Sequence, residues 1–262
     1  MAKNNLFYRI ITALILAPLV IGCIFLDFPY YHLLILTIGG FLSWEWSNLV
    51  AAKEKQALYS TIYTLSMATS VMLQSWLGII IMIVMSSGLI FLKAGQEKHR
   101  LLVVLGVPYI SIGVGSLMWL YYMTEFPHLM VLWLLIVVWS VDIGGYLVGT
   151  TFKGPKLAKK ISPNKTWSGL IGGMIFAAFF GGFFAYIFQE YNHYYYAAFA
   201  AALAIVEQIG DLIESAIKRK VGAKDSSSII PGHGGVFDRV DGLIFTAPVL
   251  LISVITYYTY IY

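Results

Sequence analysis

One apolar stretch of the chain carries acidic and basic side chains at helical spacing. Its polar members lie four, three, one and three residues apart: Glu207, Asp211, Glu214, Ser215 and Lys218. At about 100° per residue they form one stripe on a helix. Such a stripe could simply be a solvated helix face. If the acids lie at lipid depth, however, they must face an ion, a polar cavity or other helices. Carboxylates suit Mg²⁺, which also takes phosphate oxygens as ligands.

The segment after this stripe combines cations, further carboxylates and a glycine-rich turn. The residues of this segment that could take part in chemistry are Lys218, Arg219, Lys224, Asp225, His233, Gly234, Gly235, Asp238, Arg239 and Asp241. Glycines let backbone N–H groups approach an anion such as phosphate. The P-loop pattern G-x-x-x-x-G-K-[ST] is absent. A basic patch that attracts anionic lipid headgroups would explain the cations, but not the aspartates or the Gly-His-Gly-Gly turn.

A second polar segment, from Ser162 to Trp167, comes directly before another apolar run. The hydroxyl groups of Ser162 and Thr166 and the ammonium of Lys165 are suitable phosphate donors. They precede a predicted helix, whose N-terminus favours anions. The alternative is that Ser162-Pro163 only starts that helix, and both roles can coexist.

Two more acids lie inside apolar runs. We interpret Asp142 as functional, because an ionisable residue at lipid depth is costly; a structural hydrogen bond to a neighbouring helix is the alternative. Glu45 stands between Trp44 and Trp46, nearer the end of its run. For Glu45 we favour an interfacial position over a functional role.

The elements that must position these residues are apolar helices. Hydrophobic residues make up 59% of the 262 positions and charged residues 11%, which is outside the range of soluble domains. The apolar runs have about 20 residues, the length that crosses a bilayer. We therefore predict an all-α, polytopic transmembrane bundle of about nine spans, near residues 8–26, 31–50, 58–74, 76–92, 101–123, 128–149, 168–188, 194–213 and 242–262. Glycines four residues apart predict close helix packing: Gly145 and Gly149, and Gly169 and Gly173.

The basic residues set the orientation. With nine spans, all 17 Lys and Arg residues lie on one side of the membrane, and this side is the cytoplasm. The N-terminus is then cytoplasmic and the C-terminus outside. We predict one integral-membrane domain, 1–262, with N-terminal spans in 1–125 and a catalytic half in 126–262, whose cytoplasmic loops are 150–167 and 214–241. This distribution accounts for the net charge of +4 without a nucleic-acid partner.

The polar segment resembles the signature of the phosphatidate cytidylyltransferase (CDP-diglyceride synthase) family. That signature reads S-x-[apolar]-K-R-x4-K-D-x-[small]-x2-[apolar]-[PGS]-x-H-G-G-[apolar]-x-D-R-[apolar]-D. It is matched without departure over the 27 positions from Ser215 to Asp241. The stretches 139–145, 162–167 and 210–215 are also similar to the family's flanking motifs.

The resemblance implies a nucleotidyltransferase that converts CTP and phosphatidic acid into CDP-diacylglycerol and pyrophosphate, with Mg²⁺. It implies the bacterial cytoplasmic (inner) membrane, with the active site facing the cytoplasm. A second cation and a homodimer are left open. The nearest alternative is a CTP-dependent enzyme on another lipid, such as an isoprenoid phosphate, an ether-lipid phosphate or a polyprenol. An ion-coupled transporter is a more distant one.

On the same basis we assign site residues. The expected metal ligands are, in order, Asp211 and Asp238, then Asp142 and Asp241, with Glu214. The groups expected to neutralise the triphosphate and the leaving pyrophosphate are Lys218, Arg219, Lys224 and Arg239, with Asp225 beside them. His233 either donates to a phosphate or orients a carboxylate. The expected substrate-binding residues are Ser162, Lys165, Thr166, Ser215, Gly234 and Gly235.

Overall fold

The computed structural model describes residues 2–73, 75–188, 192–232 and 234–261. Across these residues it forms nine α-helices, in chain order α1 (Ala2–Leu26), α2 (Tyr30–Val50), α3 (Gln56–Met72), α4 (Trp76–Ala94), α5 (Arg100–Met123), α6 (Pro127–Phe152), α7 (Trp167–Ile187), α8 (His193–Val221) and α9 (Phe237–Ile261). A short 3-10 helix, Lys53–Lys55, precedes α3. An antiparallel hairpin of β1 (Lys156–Ala158) and β2 (Ser162–Thr166) connects α6 to α7. The predicted helical fold is confirmed, and the hairpin is an addition to it.

Seven of the described helices, α2 and α4 to α9, are long and apolar enough to cross a bilayer. In α1 the apolar stretch is shorter, Ile11–Leu26, and α3 contains many Ser, Thr and Tyr residues. Large apolar side chains such as Leu92 and Phe152 are exposed on the helix surfaces. Exposed apolar surface of this extent is expected where the surrounding solvent is lipid.

The long polar loop predicted at 214–241 is shorter than expected. Helix α8 continues to Val221 and α9 begins at Phe237, so only residues 222–236 connect them; we call this segment the glycine loop. Lys218, Arg219 and Lys220 lie in the last turn of α8, and Asp238 lies in the first turn of α9. Cations at the C-terminus and acids at the N-terminus stabilise the helix dipole, which explains why both helices extend into the charged segment.

The chain divides into two compact units. Unit 1 comprises Met1–Tyr122 and Ile217–Val240, and unit 2 comprises Met123–Ala216 and Asp241–Tyr262. The glycine loop therefore groups with the N-terminal helices. Helices α8 and α9 each contribute residues to both units.

In unit 1, aromatic residues of α2 and α3 pack against α5. The Trp46 indole donates to the carbonyl of Leu102 at 3.0 Å, and the Tyr63 hydroxyl donates to the carbonyl of Val103 at 2.5 Å. Gly106 makes this approach possible, since a Cβ there would lie 2.8 Å from Tyr63 Cζ. Each buried ring thus satisfies its polar atom, and the packing fixes the end of α2.

In unit 2, α6 and α7 approach through glycines. A Cβ at Gly169 would lie 3.0 Å from the carbonyl oxygen of Gly145, and one at Gly149 would lie 3.3 Å from Gly169 Cα. A Cβ at Gly173 would lie 3.2 Å from the carbonyl oxygen of Val141. The predicted packing role of these glycines is confirmed. The close helix pair holds the β1–β2 hairpin, which connects its two members.

Candidate active site

Three carboxylates converge in unit 2. Asp211 and Glu214 on α8 and Asp241 on α9 each offer an oxygen, and these oxygens lie within 4.8 Å of one another. Like charges this close repel each other, so a cation held among them would stabilise the group. Oxygen ligands from carboxylates are the kind that Mg²⁺ binds. The side chains of this acid cluster therefore fit a divalent cation.

The hairpin supplies a cation to this cluster. Lys165, on β2, forms an ion pair with Asp211, and the Ser215 hydroxyl donates to the same carboxylate at 3.2 Å. A predicted phosphate-binding lysine and a predicted metal ligand are thus neighbours. Their positions in the sequence gave no indication of this contact.

Further acids surround the cluster. Glu207 lies one turn before Asp211 on α8 and is 4% exposed. It interacts electrostatically with Asp142, Asp211 and Asp241. Gly242 makes room for it, because a Cβ there would lie 2.6 Å from Glu207 Cγ. The stripe predicted on this helix therefore faces other charged groups, and Asp142 is near it but outside the three clustered ligands.

The segment before α7 differs from one expectation. Ser162 lies in β2 and pairs with Ala158, so the idea that Ser162-Pro163 starts the helix is wrong. Thr166 is the N-cap instead, and its hydroxyl oxygen accepts the N–H of Gly169 at 3.1 Å. Capping satisfies a donor that the helix leaves unpaired. Substrate binding by Ser162 and Thr166 stays a prediction.

In unit 1, Asp238 holds the glycine loop. One of its oxygens, Oδ1, accepts from Lys218 Nζ at 2.6 Å. The other, Oδ2, accepts from Gly235 N at 2.8 Å and from Ser226 N and Oγ, each at 3.0 Å. A Cβ at Gly234 would lie 2.5 Å from Oδ2, so this glycine allows the carboxylate to approach. The protein itself thus occupies both oxygens, and metal binding by Asp238 stays a prediction.

Glu45 is the residue whose importance the sequence interpretation missed. Its side chain is fully buried, and its carboxylate accepts from the backbone N–H groups of Val236 and Phe237. Ser226 and Ser227 donate their hydroxyls to it as well. An acid in an apolar run was the available signal. The carboxylate faces the start of α9, and the interfacial position of Glu45 stays a prediction.

The remaining charged residues of the signature lie at the surface. Arg219, Lys224, Asp225 and Arg239 are exposed, and the Arg219 guanidinium donates to the carbonyl of Ala223 at 3.0 Å. Their exposure places these cations where a soluble anion can reach them. The predicted role of His233 falls outside the described residues.

Comparisons with known proteins show which family this chain is similar to. A family model described as the cytidylyltransferase family matches residues 7–257. The chain is 36% identical to a phosphatidate cytidylyltransferase of Brucella suis over 251 residues, covering 94% of this chain and 92% of the relative. It is 36% identical to one of Rickettsia felis over 256 residues (95% and 92%). To one of Rickettsia conorii it is 33% identical over 257 residues (95% and 91%).

Proposed function

The chain belongs to the cytidylyltransferase family, and from this premise we propose that it transfers the cytidylyl group of CTP to phosphatidic acid. The products are CDP-diacylglycerol and pyrophosphate, and the step belongs to phospholipid biosynthesis. One observation carries the proposal: the similarity to phosphatidate cytidylyltransferases extends over 94% of this chain. The unbroken signature from Ser215 to Asp241 lies within that range.

The reaction needs positioning and charge more than covalent catalysis. A phosphate oxygen of phosphatidic acid attacks the α-phosphorus of CTP and forms a new P–O bond. The bond from the α-phosphorus to the oxygen that bridges the β-phosphate breaks, and its electron pair leaves with pyrophosphate. The lipid phosphate is itself the nucleophile, so an activated Ser or Cys is not required. Fixed positive charge stabilises the transferring group and the leaving group.

We assign metal binding to Asp211, Glu214 and Asp241. Bound there, Mg²⁺ would neutralise phosphate oxygens and the charge that develops on pyrophosphate. Lys165 contributes a fixed ammonium next to Asp211, and it can donate to a phosphate oxygen on its remaining N–H bonds. Asp142 adds negative charge beside this group.

In unit 1 we assign phosphate binding to the exposed cations Arg219, Lys224 and Arg239. These cations lie in or beside the glycine loop, which Lys218 and Asp238 hold in place. We assign to His233 either donation to a phosphate or orientation of a carboxylate. Helices α8 and α9 carry residues of both groups, so the acids and the cations follow one another along the same two elements.

We further propose that all nine helices cross the bacterial inner membrane, with the N-terminus in the cytoplasm. The support is the distribution of Lys and Arg, all 17 of which fall on one side in this topology, as the positive-inside rule requires. The glycine loop then meets cytoplasmic CTP, while phosphatidic acid arrives through the lipid.

A lipid panel tests the proposed substrate. Purified protein in detergent receives CTP, Mg²⁺ and either phosphatidic acid, an isoprenoid phosphate, an ether-lipid phosphate or polyprenol. We expect pyrophosphate release with phosphatidic acid at a rate far above that with the other lipids. Preference for another lipid, or ion flux in proteoliposomes without CTP turnover, would contradict the proposal.

A further inference from the structure

The carboxylate of Glu45, on α2, sits at the N-terminus of α9. Oε1 accepts from Val236 N at 2.9 Å and from Ser227 Oγ at 2.5 Å. Oε2 accepts from Phe237 N at 2.7 Å and from Ser226 Oγ at 3.0 Å. We propose that Glu45 is a positioning residue, which fixes the glycine loop in the geometry that cytidylyl transfer requires. This inference rests on the proposed function.

The four hydrogen bonds explain why an acid is needed at this position. The first N–H groups of a helix have no partner within the helix, and the helix dipole favours negative charge there. Each oxygen of Glu45 takes one backbone N–H and one hydroxyl. A Gln side chain would turn its NH₂ group toward one of the two N–H groups in either orientation, since it has only one acceptor atom.

A shared hydroxyl couples Glu45 to Asp238. Ser226 Oγ lies 3.0 Å from Glu45 Oε2 and 3.0 Å from Asp238 Oδ2, and its one proton can be shared between these two acceptors. The loop passes close to both acids at Gly235, where a Cβ would lie 2.7 Å from Glu45 Cδ. Glu45 and Asp238 therefore hold the loop between them, and Asp238 in turn binds Lys218.

Apolar packing reinforces this attachment. The ring of Phe237 is fully buried and lies 5.6 Å from the ring of Trp46 and 5.7 Å from that of Tyr109, edge to face. The adjacent residues Glu45 and Trp46 thus fix the backbone and the side chain at the start of α9. The loop of the signature depends on a helix that lies far from it in the sequence.

The test compares Glu45→Gln with Ser227→Ala, which removes a single hydroxyl donor to the same carboxylate. Glu54→Gln is the control, because Glu54 is an exposed acid outside the site. For each protein the melting temperature and the KM for CTP are measured with phosphatidic acid and Mg²⁺. Trypsin cleavage after the exposed Lys224 is followed without substrate, as a readout of loop order.

We expect Glu45→Gln to raise the KM for CTP by about tenfold or more, the size of a lost hydrogen bond to a charged group. Cleavage after Lys224 should be faster in this variant, and Ser227→Ala should show smaller changes of the same kind. Glu54→Gln should behave as the wild type. A purely structural role would lower kcat through fewer folded molecules and leave the KM unchanged.

An unchanged KM and unchanged cleavage in Glu45→Gln would overturn the inference. If Glu45→Gln does not fold, the same two readouts on Ser227→Ala decide. The cleavage assay does not depend on activity. A wild-type protein without cytidylyl transfer would therefore refute the proposed function, while the digestion still shows whether Glu45 orders the loop.

Discussion

The ammonium of Lys165 forms an ion pair with the carboxylate of Asp211, although one residue belongs to a hairpin strand and the other to α8. This contact joins the segment before α7 to the acid cluster of α8 and α9. It gives unit 2 both negative ligands for a metal ion and a positive group for a phosphate.

Asp211→Asn should abolish most of the activity. The amide keeps the shape of the side chain but removes the charge that offsets a divalent cation, so we expect kcat/KM to fall by about 100-fold or more. Initial rates across a Mg²⁺ titration measure the effect. Glu125→Gln, at an exposed acid outside the cluster, should retain normal rates; retained turnover in Asp211→Asn would remove Asp211 from the ligands.

Lys165→Gln should separate metal binding from turnover. Loss of the ammonium removes repulsion between Lys165 and the bound cation, so the apparent Mg²⁺ affinity should rise by roughly threefold to tenfold. The maximal rate should fall, because a phosphate donor is lost. Weaker Mg²⁺ binding in this variant would contradict the arrangement, since it would mean that Lys165 supports the metal ligands.

Gly144→Ala should destabilise the protein. A Cβ there would lie 2.6 Å from Phe176 Cβ and 2.8 Å from the carbonyl oxygen of Gly172, so α6 and α7 must separate, at a cost of about 1–3 kcal/mol. The matched control is Gly88→Ala on α4, where nothing lies within 4 Å of the added atom. Thermal unfolding in detergent should show a lower melting temperature for Gly144→Ala alone. Equal melting temperatures would argue against the close helix contact.

Lys218→Met should lower stability more than Arg219→Met. Lys218 and Asp238 form a pair with little exposure, 10% and 6% of their side chains, and removal of one partner from such a pair costs about 3–5 kcal/mol. Arg219 is exposed, so its loss should affect CTP binding and leave the melting temperature close to that of the wild type. A larger loss of stability in Arg219→Met would contradict the assignment of Lys218 to the loop.

The sequence predicted those features that depend on local patterns. Apolar runs of bilayer length became helices, and the spacing of Asp211 and Glu214 placed both acids on one face of α8. The sequence did not predict contacts between segments that are far apart along the chain. Tertiary packing alone brings Glu45 to the glycine loop and Lys165 to Asp211. The periodicity of a sequence does not indicate contacts of this kind. Asp238 and Lys218 both match the signature, but the pattern did not indicate that they form an ion pair. It also did not indicate that Ser226 donates to Asp238.

The most direct test of the central claim follows two labels of CTP in one assay. Wild-type protein in detergent receives phosphatidic acid, Mg²⁺ and CTP that carries one isotope at the α-phosphorus and another at the γ-phosphorus. Cytidylyl transfer predicts that the α label moves into the lipid extract while the γ label stays in water as pyrophosphate, in equal amounts. Appearance of the γ label in the lipid, or of neither label, would contradict it.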